Sequence, residues 1–336
     1  MKVLVTGGAG FIGSHLIRRF LAQGDSVTVL DNATAGGTDR LAGLPVRMIT
    51  ADVRDPNAVT AAMSGQEAVF HLAAVVGVPN AMRHQWDSLT TNVLGTYNVL
   101  EAARKGDVPI FLASSSAIYG KLQRIPVREK DDVVLGNTHR SAWTYSYAKL
   151  TEELLARAAA AEWQVRVKIG RLFNVIGPGQ SGAYGMVVPR FVAKALRGEP
   201  LLVYGDGTQT RTFLDVEDAV DGIMTVWERG EWGQTYNVGG QGETRVLDLA
   251  RMVIRLTGTA SEIEFVPFHV AFDANFEETN RRVPCIDRLA ELGYEPKYTL
   301  EDTLRRVIAD TSGHTASPAA PSPRTEADSP KEGPAR

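Results

Sequence analysis

Thr6-Gly7-Gly8-Ala9-Gly10-Phe11-Ile12-Gly13-Ser14-His15-Leu16 decides the fold of this chain. A run of aliphatic and β-branched residues, 2–6, leads into it, and a stretch of helical periodicity, 11–23, leads out. Glycines spaced Gly7-x-x-Gly10-x-x-Gly13 between a strand and a helix let backbone come close to a pyrophosphate at the helix N-terminus, where unpaired N–H groups favour an anion. A second strand, 26–30, follows. Asp31 ends it 18 residues after Gly13, where a carboxylate can accept hydrogen bonds from the adenosine ribose hydroxyls. No Arg or Lys lies between Asp31 and Arg40, so a 2'-phosphate would meet like charge with no nearby cation; NAD is expected rather than NADP.

Outward from this unit the alternation continues. Short strand patterns at 46–50, 68–72, 110–113 and 165–170 are separated by helical patterns at 57–63, 88–105 and 141–162. Six parallel strands with right-handed crossovers predict an α/β fold, a Rossmann-type doubly wound parallel sheet over residues 1–170. From Arg171 the pattern becomes irregular, with Gly177-Pro178-Gly179 and Gly205-Asp206-Gly207 and shorter helical pieces at 189–196 and 247–256. Residues 171–310 therefore read as a smaller α/β substrate-binding domain, with later segments returning to the first. The last 26 residues, 311–336, carry five of the sixteen prolines and no large apolar side chain, so disorder is expected there.

Composition bounds the function. The 336 residues hold 36 Lys plus Arg against 39 Asp plus Glu, a formal net charge of -3, with 44% hydrophobic residues. That balance argues against a nucleic-acid surface, which needs a basic excess. No apolar run approaches the roughly 20 residues of a membrane span, and no signal-peptide pattern opens the chain. A single cysteine, Cys285, forms no internal disulfide and no thiolate zinc site, and no metal is expected; it fits a cytoplasmic setting.

Tyr145-Ser146-Tyr147-Ala148-Lys149 places a phenol and an amine at i and i+4, on one face of the helix predicted over 141–162. A phenol is a poor base at neutral pH; a neighbouring ammonium favours its phenolate. Ala113-Ser114-Ser115-Ser116-Ala117-Ile118-Tyr119-Gly120 supplies hydroxyl donors at the C-terminal end of the fifth strand, the end at which doubly wound sheets bind ligands. Asp52 and Val53, after the third strand, read either as a cover for the adenine or as a turn. Asn92 is a weaker cofactor candidate, and His71, flanked by Val69, Phe70 and Leu72, reads as a hydrogen-bonded strand residue.

Together these motifs resemble the extended short-chain dehydrogenase/reductases, in the branch that acts on nucleotide sugars as epimerases, dehydratases and decarboxylases. The likeness spans about residues 1–308: the glycine opening, Asp31-Asn32, His71-Leu72-Ala73-Ala74, the Ser-Ser-x-x-Ile-Tyr-Gly element and Tyr145-x-x-x-Lys149. It implies NAD, tightly bound and recycled, on Gly7, Gly10, Phe11, Ile12, Gly13, Asp31, Asn32, Asp52, Val53, Leu72, Ala73, Ala74, Asn92, Leu172 and the Tyr145–Lys149 pair. Ser115 becomes the catalytic hydroxyl, with Ser116 its rival by one position. The resemblance also implies a UDP-sugar pocket from Asn174, Met186, Val187, Leu202, Tyr204 stacked on uracil, and Arg211 and Arg282 on the diphosphate. Arg190, in the Tyr184-Gly185-Met186-Val187-Val188-Pro189-Arg190 stretch, reads either as the partner of a C6 carboxylate or as a surface arginine at a helix start. A homodimer through the helices at 88–105 and 141–162 is implied as well.

Two positions depart from the branch's lyases. Dehydratases carry Asp-Glu after the catalytic hydroxyl and decarboxylases a glutamate in the same element; here those places hold Ser116 and Ala117. Lacking that carboxylate, the chain is expected to be an isomerase, a UDP-sugar 4-epimerase acting on UDP-glucuronate or UDP-glucose through a 4-keto intermediate. The alternatives are a UDP-glucuronate decarboxylase or a 4,6-dehydratase or keto-reductase, with a non-enzymatic NAD sensor disfavoured by the intact Tyr145, Lys149 and Ser115.

Overall fold

A computed structural model describes residues 1–34, 37–182, 186–272, 276–277, 279 and 281–315. Tyr184, Gly185 and residues 316–336 lie outside the described residues.

Strands β1 (Lys2–Thr6), β2 (Ser26–Asp31), β3 (Arg47–Thr50), β4 (Ala68–His71), β5 (Ile110–Ser115), β6 (Val167–Leu172) and β7 (Thr235–Val238) form one sheet in the order β7-β6-β5-β4-β1-β2-β3. Every neighbouring pair is parallel. The six expected strands are present, each within two residues at either end of its expected bounds. The seventh is additional: Thr235-Tyr236-Asn237-Val238 pairs with β6 from Thr235 opposite Ile169 to Val238 opposite Leu172. The strand order reverses between β1 and β4, and their C-terminal ends diverge there into the crevice in which doubly wound folds bind dinucleotides.

Helices α1 (Phe11–Ala22), α2 (Pro56–Met63), α3 (Gly95–Gly106) and α4 (Thr144–Trp163) connect the strands. The helix expected over 88–105 is broken: a piece at Gln85–Leu89 passes through a π-helical turn at Thr90–Leu94 before α3 begins. That turn carries Asn92 inward, fully buried. Parallel sheets are covered on both faces, and two apolar layers do so here. Phe20, Phe70 and Phe111 lie in one, Leu4, Leu30 and Ile110 in the other, and each buries at 1% exposure or less, worth about 1.5–3 kcal/mol per side chain.

A third core belongs to the later part of the chain. Helices α5 (Val187–Leu196), α7 (Val246–Thr257) and α8 (Leu300–Thr315) pack around the strand Leu201–Tyr204, burying Phe191, Val203, Leu249 and Leu304. Helix α6 (Val216–Arg229) returns to pack on α1 and the main sheet. Among the ties between the halves, His15 lies between Glu217 (2.6 Å) and the Pro178 carbonyl (3.0 Å), and the Asn237 amide donates to the carbonyls of Val127 and Cys285. The disorder expected from residue 311 does not begin there, because α8 runs through Thr315 and the Thr311 hydroxyl donates to the Val307 carbonyl. Among the described residues no helix is long and apolar enough to cross a membrane, and no cluster of His, Cys, Asp and Glu is placed to hold a metal.

Candidate active site

The glycine turn is shaped by what has no room for a side chain. A Cβ on Gly7, whose φ is +71°, would lie 2.6 Å from the Ala73 nitrogen, and one on Gly13 would lie 2.4 Å from the Gly7 carbonyl. Gly7 thus lets β1 and the Leu72-Ala73-Ala74 segment touch, while Gly13 lets α1 pack onto the turn. Gly10 is the N-cap of α1, with no side-chain cap and no acid in the first turn, so the helix's positive end is left uncompensated beside Phe11 and Ile12. Asp31 accepts from the Ala9 amide (3.0 Å) and the Ala33 amide (2.8 Å), which aims its remaining lone pairs along the turn. A glycine cradle, an uncapped helix start and a carboxylate at the end of β2 fit NAD, with the pyrophosphate on the turn and the ribose on Asp31.

Other expected cofactor residues divide. Asn32 donates to Asp52 (3.2 Å), and Asp52 is gripped by Arg54 at 2.8 and 3.0 Å, which lowers its pKa; Val53 packs against Gly95. Leu172 ends β6 at the same edge of the sheet. Asn92 does not face the crevice as a free amide. Its Oδ1 accepts from the Val75 nitrogen (2.8 Å) and its Nδ2 reaches the Val75 carbonyl (3.4 Å), so it holds the segment after β4 in place. Arg40, set aside on sequence because it lies nine residues past Asp31, comes back onto the turn, 3.4 Å from the Ala9 carbonyl, an approach made by a loop that no local pattern encodes.

Helix α4 brings the pair expected to be catalytic, Tyr145 and Lys149, to the end of β5. Tyr145, Lys149, Glu152, Ala156 and Ala159 follow one another at helical spacing, and all are buried, so the stripe that would ordinarily be apolar core is polar over its first two turns. The Lys149 Nζ donates to the Ala113 carbonyl (2.9 Å) at the end of β5 and to Glu152 Oε2 (2.9 Å). The Ser115 hydroxyl bonds the Tyr145 phenol and accepts from the Ala117 amide (3.2 Å). Ser114 is committed elsewhere, donating to Glu153, and Ser116 is buried in the turn that follows. Burial raises the Tyr145 pKa above its ordinary 10, Lys149 and Ser115 pull it back, and Glu152 pushes it up. Burial works against the Lys149 ammonium, but Glu152 and Tyr145 outweigh it and hold its pKa above 10.5.

Behind this pair lies a polar core that sequence reasoning missed. Arg171 on β6 makes a two-pronged bond to Glu153, Nε to Oε1 at 2.9 Å and Nη2 to Oε2 at 2.8 Å, while its Nη1 donates to the Tyr119 hydroxyl and the Glu129 carbonyl. His71 is a satisfied strand residue, as its apolar neighbours imply: Nδ1 is 2.6 Å from the Thr6 hydroxyl and Nε2 is 3.0 Å from Thr96. Burial, with Lys149 beyond it, lowers its pKa to about 3, so the ring is neutral. The signal available for Glu152 was its spacing, three residues after Lys149 and on the same helical face.

On the substrate side, Asn174 holds the Thr212 carbonyl (2.8 Å) in a left-handed conformation, φ +31°. Met186 and Val187 begin α5, and Arg211 donates to the Thr210 carbonyl. Arg282 reaches Thr279 (3.2 Å) and the Gly120 carbonyl (3.5 Å), beside the serine turn. Arg190 is not a freely exposed surface arginine. It is half-buried, stacks 4.2 Å from the Tyr204 ring centroid and points Nη2 at the Leu202 carbonyl (3.4 Å). The two residues expected at different parts of the substrate, Tyr204 and Arg190, are thus in direct contact.

A glycine-turn dinucleotide crevice with a Tyr–Lys–Ser group at the end of β5 is the arrangement of an NAD-dependent enzyme of the doubly wound class. The chain belongs to the NAD dependent epimerase/dehydratase family, whose model matches residues 3–239. It is 37% identical over 312 residues to the UDP-N-acetyl-α-D-glucosaminuronate decarboxylase of Bacillus cytotoxicus, covering 91% of this chain and 96% of that one. It is 36% identical over 319 residues to UDP-glucuronic acid decarboxylase 2 of Arabidopsis thaliana, 92% of this chain and 68% of that one. Among solved structures, the UDP-glucuronic acid 4-epimerase of Bacillus cereus, in complex with UDP-glucuronic acid and NAD, superposes with a TM-score of 0.84 at 26% identity, covering 94% of this chain and 100% of that one.

These relatives overturn the expectation of an isomerase, since the decarboxylases among them are lyases. That expectation rested on Ala117, where a glutamate had been thought necessary. A 4-keto uronate is a β-keto acid, however, and loses carbon dioxide by delocalising the C5–C6 electron pair into the ketone, which asks for no carboxylate base.

Proposed function

We propose that this protein decarboxylates a UDP-linked hexuronate, of the UDP-glucuronate class, to the UDP-pentose. The observation that carries this reading is the near end-to-end likeness to a UDP-hexuronate decarboxylase, on a chain that keeps the phenol, amine and hydroxyl needed to make a 4-ketone. Tyr145 as phenolate takes the proton of the C4 hydroxyl, and Ser115 donates a hydrogen bond to the same oxygen. NAD held on the glycine turn and Asp31 would supply the acceptor, and later the donor, of the C4 hydride. The C5–C6 bond then breaks, carbon dioxide leaves, and its electron pair passes into a C4–C5 enolate whose oxygen Ser115 and Tyr145 stabilise. C5 takes up a proton, and Tyr145 gives its proton back to the C4 oxygen as the ketone is reduced. The net change is one proton consumed and one carbon dioxide released, with no net redox.

In this reading Tyr204, Arg190 and Leu202 serve the base end, and Arg211 and Arg282 the diphosphate, with the Arg282 end reaching the serine turn. Trp86, Leu89, Leu94, Tyr97 and Leu154 are exposed on the outer helices, which supports a second copy of the chain as the partner there. The buried, free Cys285 supports a reducing compartment.

The test is a proton NMR time course of the purified protein with UDP-glucuronate and, separately, its 2-acetamido analogue, no NAD added. A pair of pentose C5 protons replacing the single uronate H5, with carbon dioxide released in equal amount, is expected. A hexuronate isomer accumulating without carbon dioxide would overturn the proposal.

A further inference from the structure

Glu152 is an anomaly in the site. It is fully buried, one helical turn from Lys149, and its Oε2 takes a hydrogen bond from the ammonium at 2.9 Å while Oε1 has no hydrogen-bond partner. A buried carboxylate that serves only as ballast for a lysine is normally given donors for both oxygens; Glu153, the next residue, has them. Glu152 therefore has room for a proton on itself.

The groups around it define what that proton would do. On its own helix Glu152 faces Lys149 and Tyr145, with Glu153 alongside. Thr96 on α3 offers it a hydroxyl, and His71 on β4 stands behind Thr96, neutral and bonded onward to Thr6. Arg171 on β6 is spent on Glu153. Lys149 is thus the cation that Glu152 meets directly, and Lys149 is the cation that stabilises the Tyr145 phenolate.

We propose that Glu152 is a positioning residue that acts through Lys149 to set how readily Tyr145 gives and takes its proton. An ionised Glu152 offsets the ammonium and holds the proton on the phenol; a protonated Glu152 leaves the ammonium uncompensated and releases it. The two groups are linked through the one ammonium. Burial, opposed by Lys149 and Thr96, raises the Glu152 pKa to about 7, so its own charge changes in the neutral range. As pH falls through that range, Glu152 becomes neutral and the ammonium acts on the phenol unopposed, which sustains base strength. Tyr145 must act as a base when C4 is oxidised and as an acid when it is reduced, and a neighbour whose charge can change serves both directions.

The Tyr145–Lys149 chemistry that this rests on is common to the family and does not depend on decarboxylation; the experiment needs no substrate, so its failure leaves the proposed reaction standing. Tyrosinate absorbance of the NAD-loaded protein is titrated against pH, and the Tyr145 signal is isolated by subtracting Tyr145→Phe. The same pair of measurements is made on Glu152→Gln. The wild-type curve should be broad, spanning two linked steps, and the Gln variant should titrate as a single proton with a midpoint lower by about one pH unit, a tenfold gain in the ionisation constant. An unchanged or higher midpoint in Glu152→Gln would overturn the proposal, as would a loss of stability with the titration unaltered. Should Glu152→Gln not fold, Glu152→Leu is read by the same criteria.

Discussion

Glu152 and Glu153 are consecutive, both buried and two turns from the same phenol, yet they live in opposite circumstances. Glu153 meets a guanidinium that fills both its oxygens, and Ser114 adds a further donor; Glu152 meets one ammonium and keeps an oxygen bare. Burial alone does not decide what a carboxylate does. The count of donors does: a saturated carboxylate fixes the joint between α4 and β6, whereas an unsaturated one has room for a proton.

Breaking the saturated half should have the largest effect. Arg171→Ala strands Glu153 as a buried, unpaired charge, and the expected cost is about 3–5 kcal/mol in urea denaturation. A loss under about 1 kcal/mol would mean that the two carboxylates are not different in kind. Lys149→Met attacks the other half, and turnover should drop roughly 10²–10⁴-fold because the phenol loses its cation. Its stability loss should be concentrated above neutral pH, since below it Glu152 can protonate and leave no bare charge. Equal destabilisation at pH 5.5 and pH 8.5 would contradict this.

The finest probe is pH-dependent stability. The folded-state pKa of Glu152, about 7, lies above its ordinary 4.5, so the folded protein binds this proton more tightly than the unfolded chain does. The resulting stabilisation is fully present below pH 4.5 and is lost as pH rises through 7. The melting temperature of Glu152→Gln relative to wild type should therefore climb across that window and level off above it. A flat difference would show that Glu152 does not titrate there.

Much of the cofactor half was legible because its signals are local. A strand, a tight glycine turn and a helix within residues 2–22 leave period and turn chemistry in the chain itself, as does the i, i+4 spacing of Tyr145 and Lys149. What was not legible depends on distant segments. Strand β7 is four residues between a turn and two glycines, too short to show a period, and is a strand because β6 is there to pair with it. Arg40 returns to the Ala9 carbonyl by way of a loop, and Arg190 meets Tyr204 across two elements. Glu152 was visible by spacing, but a Lys–Glu pair at i, i+3 most often marks a solvated helix face, and only the packing of α3 and β4 against it shows otherwise. The misreading at Ala117 was chemical rather than structural: the intermediate's own ketone does the work assigned to a missing side chain.

Strand β7 also bears on how the chain is made. Residues 2–172 emerge from the ribosome with six strands and an open flank on β6, and some sixty further residues must be synthesised before Thr235–Val238 can close it. During that interval the nascent protein presents unpaired amide and carbonyl groups of a buried-type strand, an invitation to join another chain. A fragment cut at residue 170 would keep that flank permanently, so the cofactor half, complete as it looks in sequence, is not an independent piece of protein.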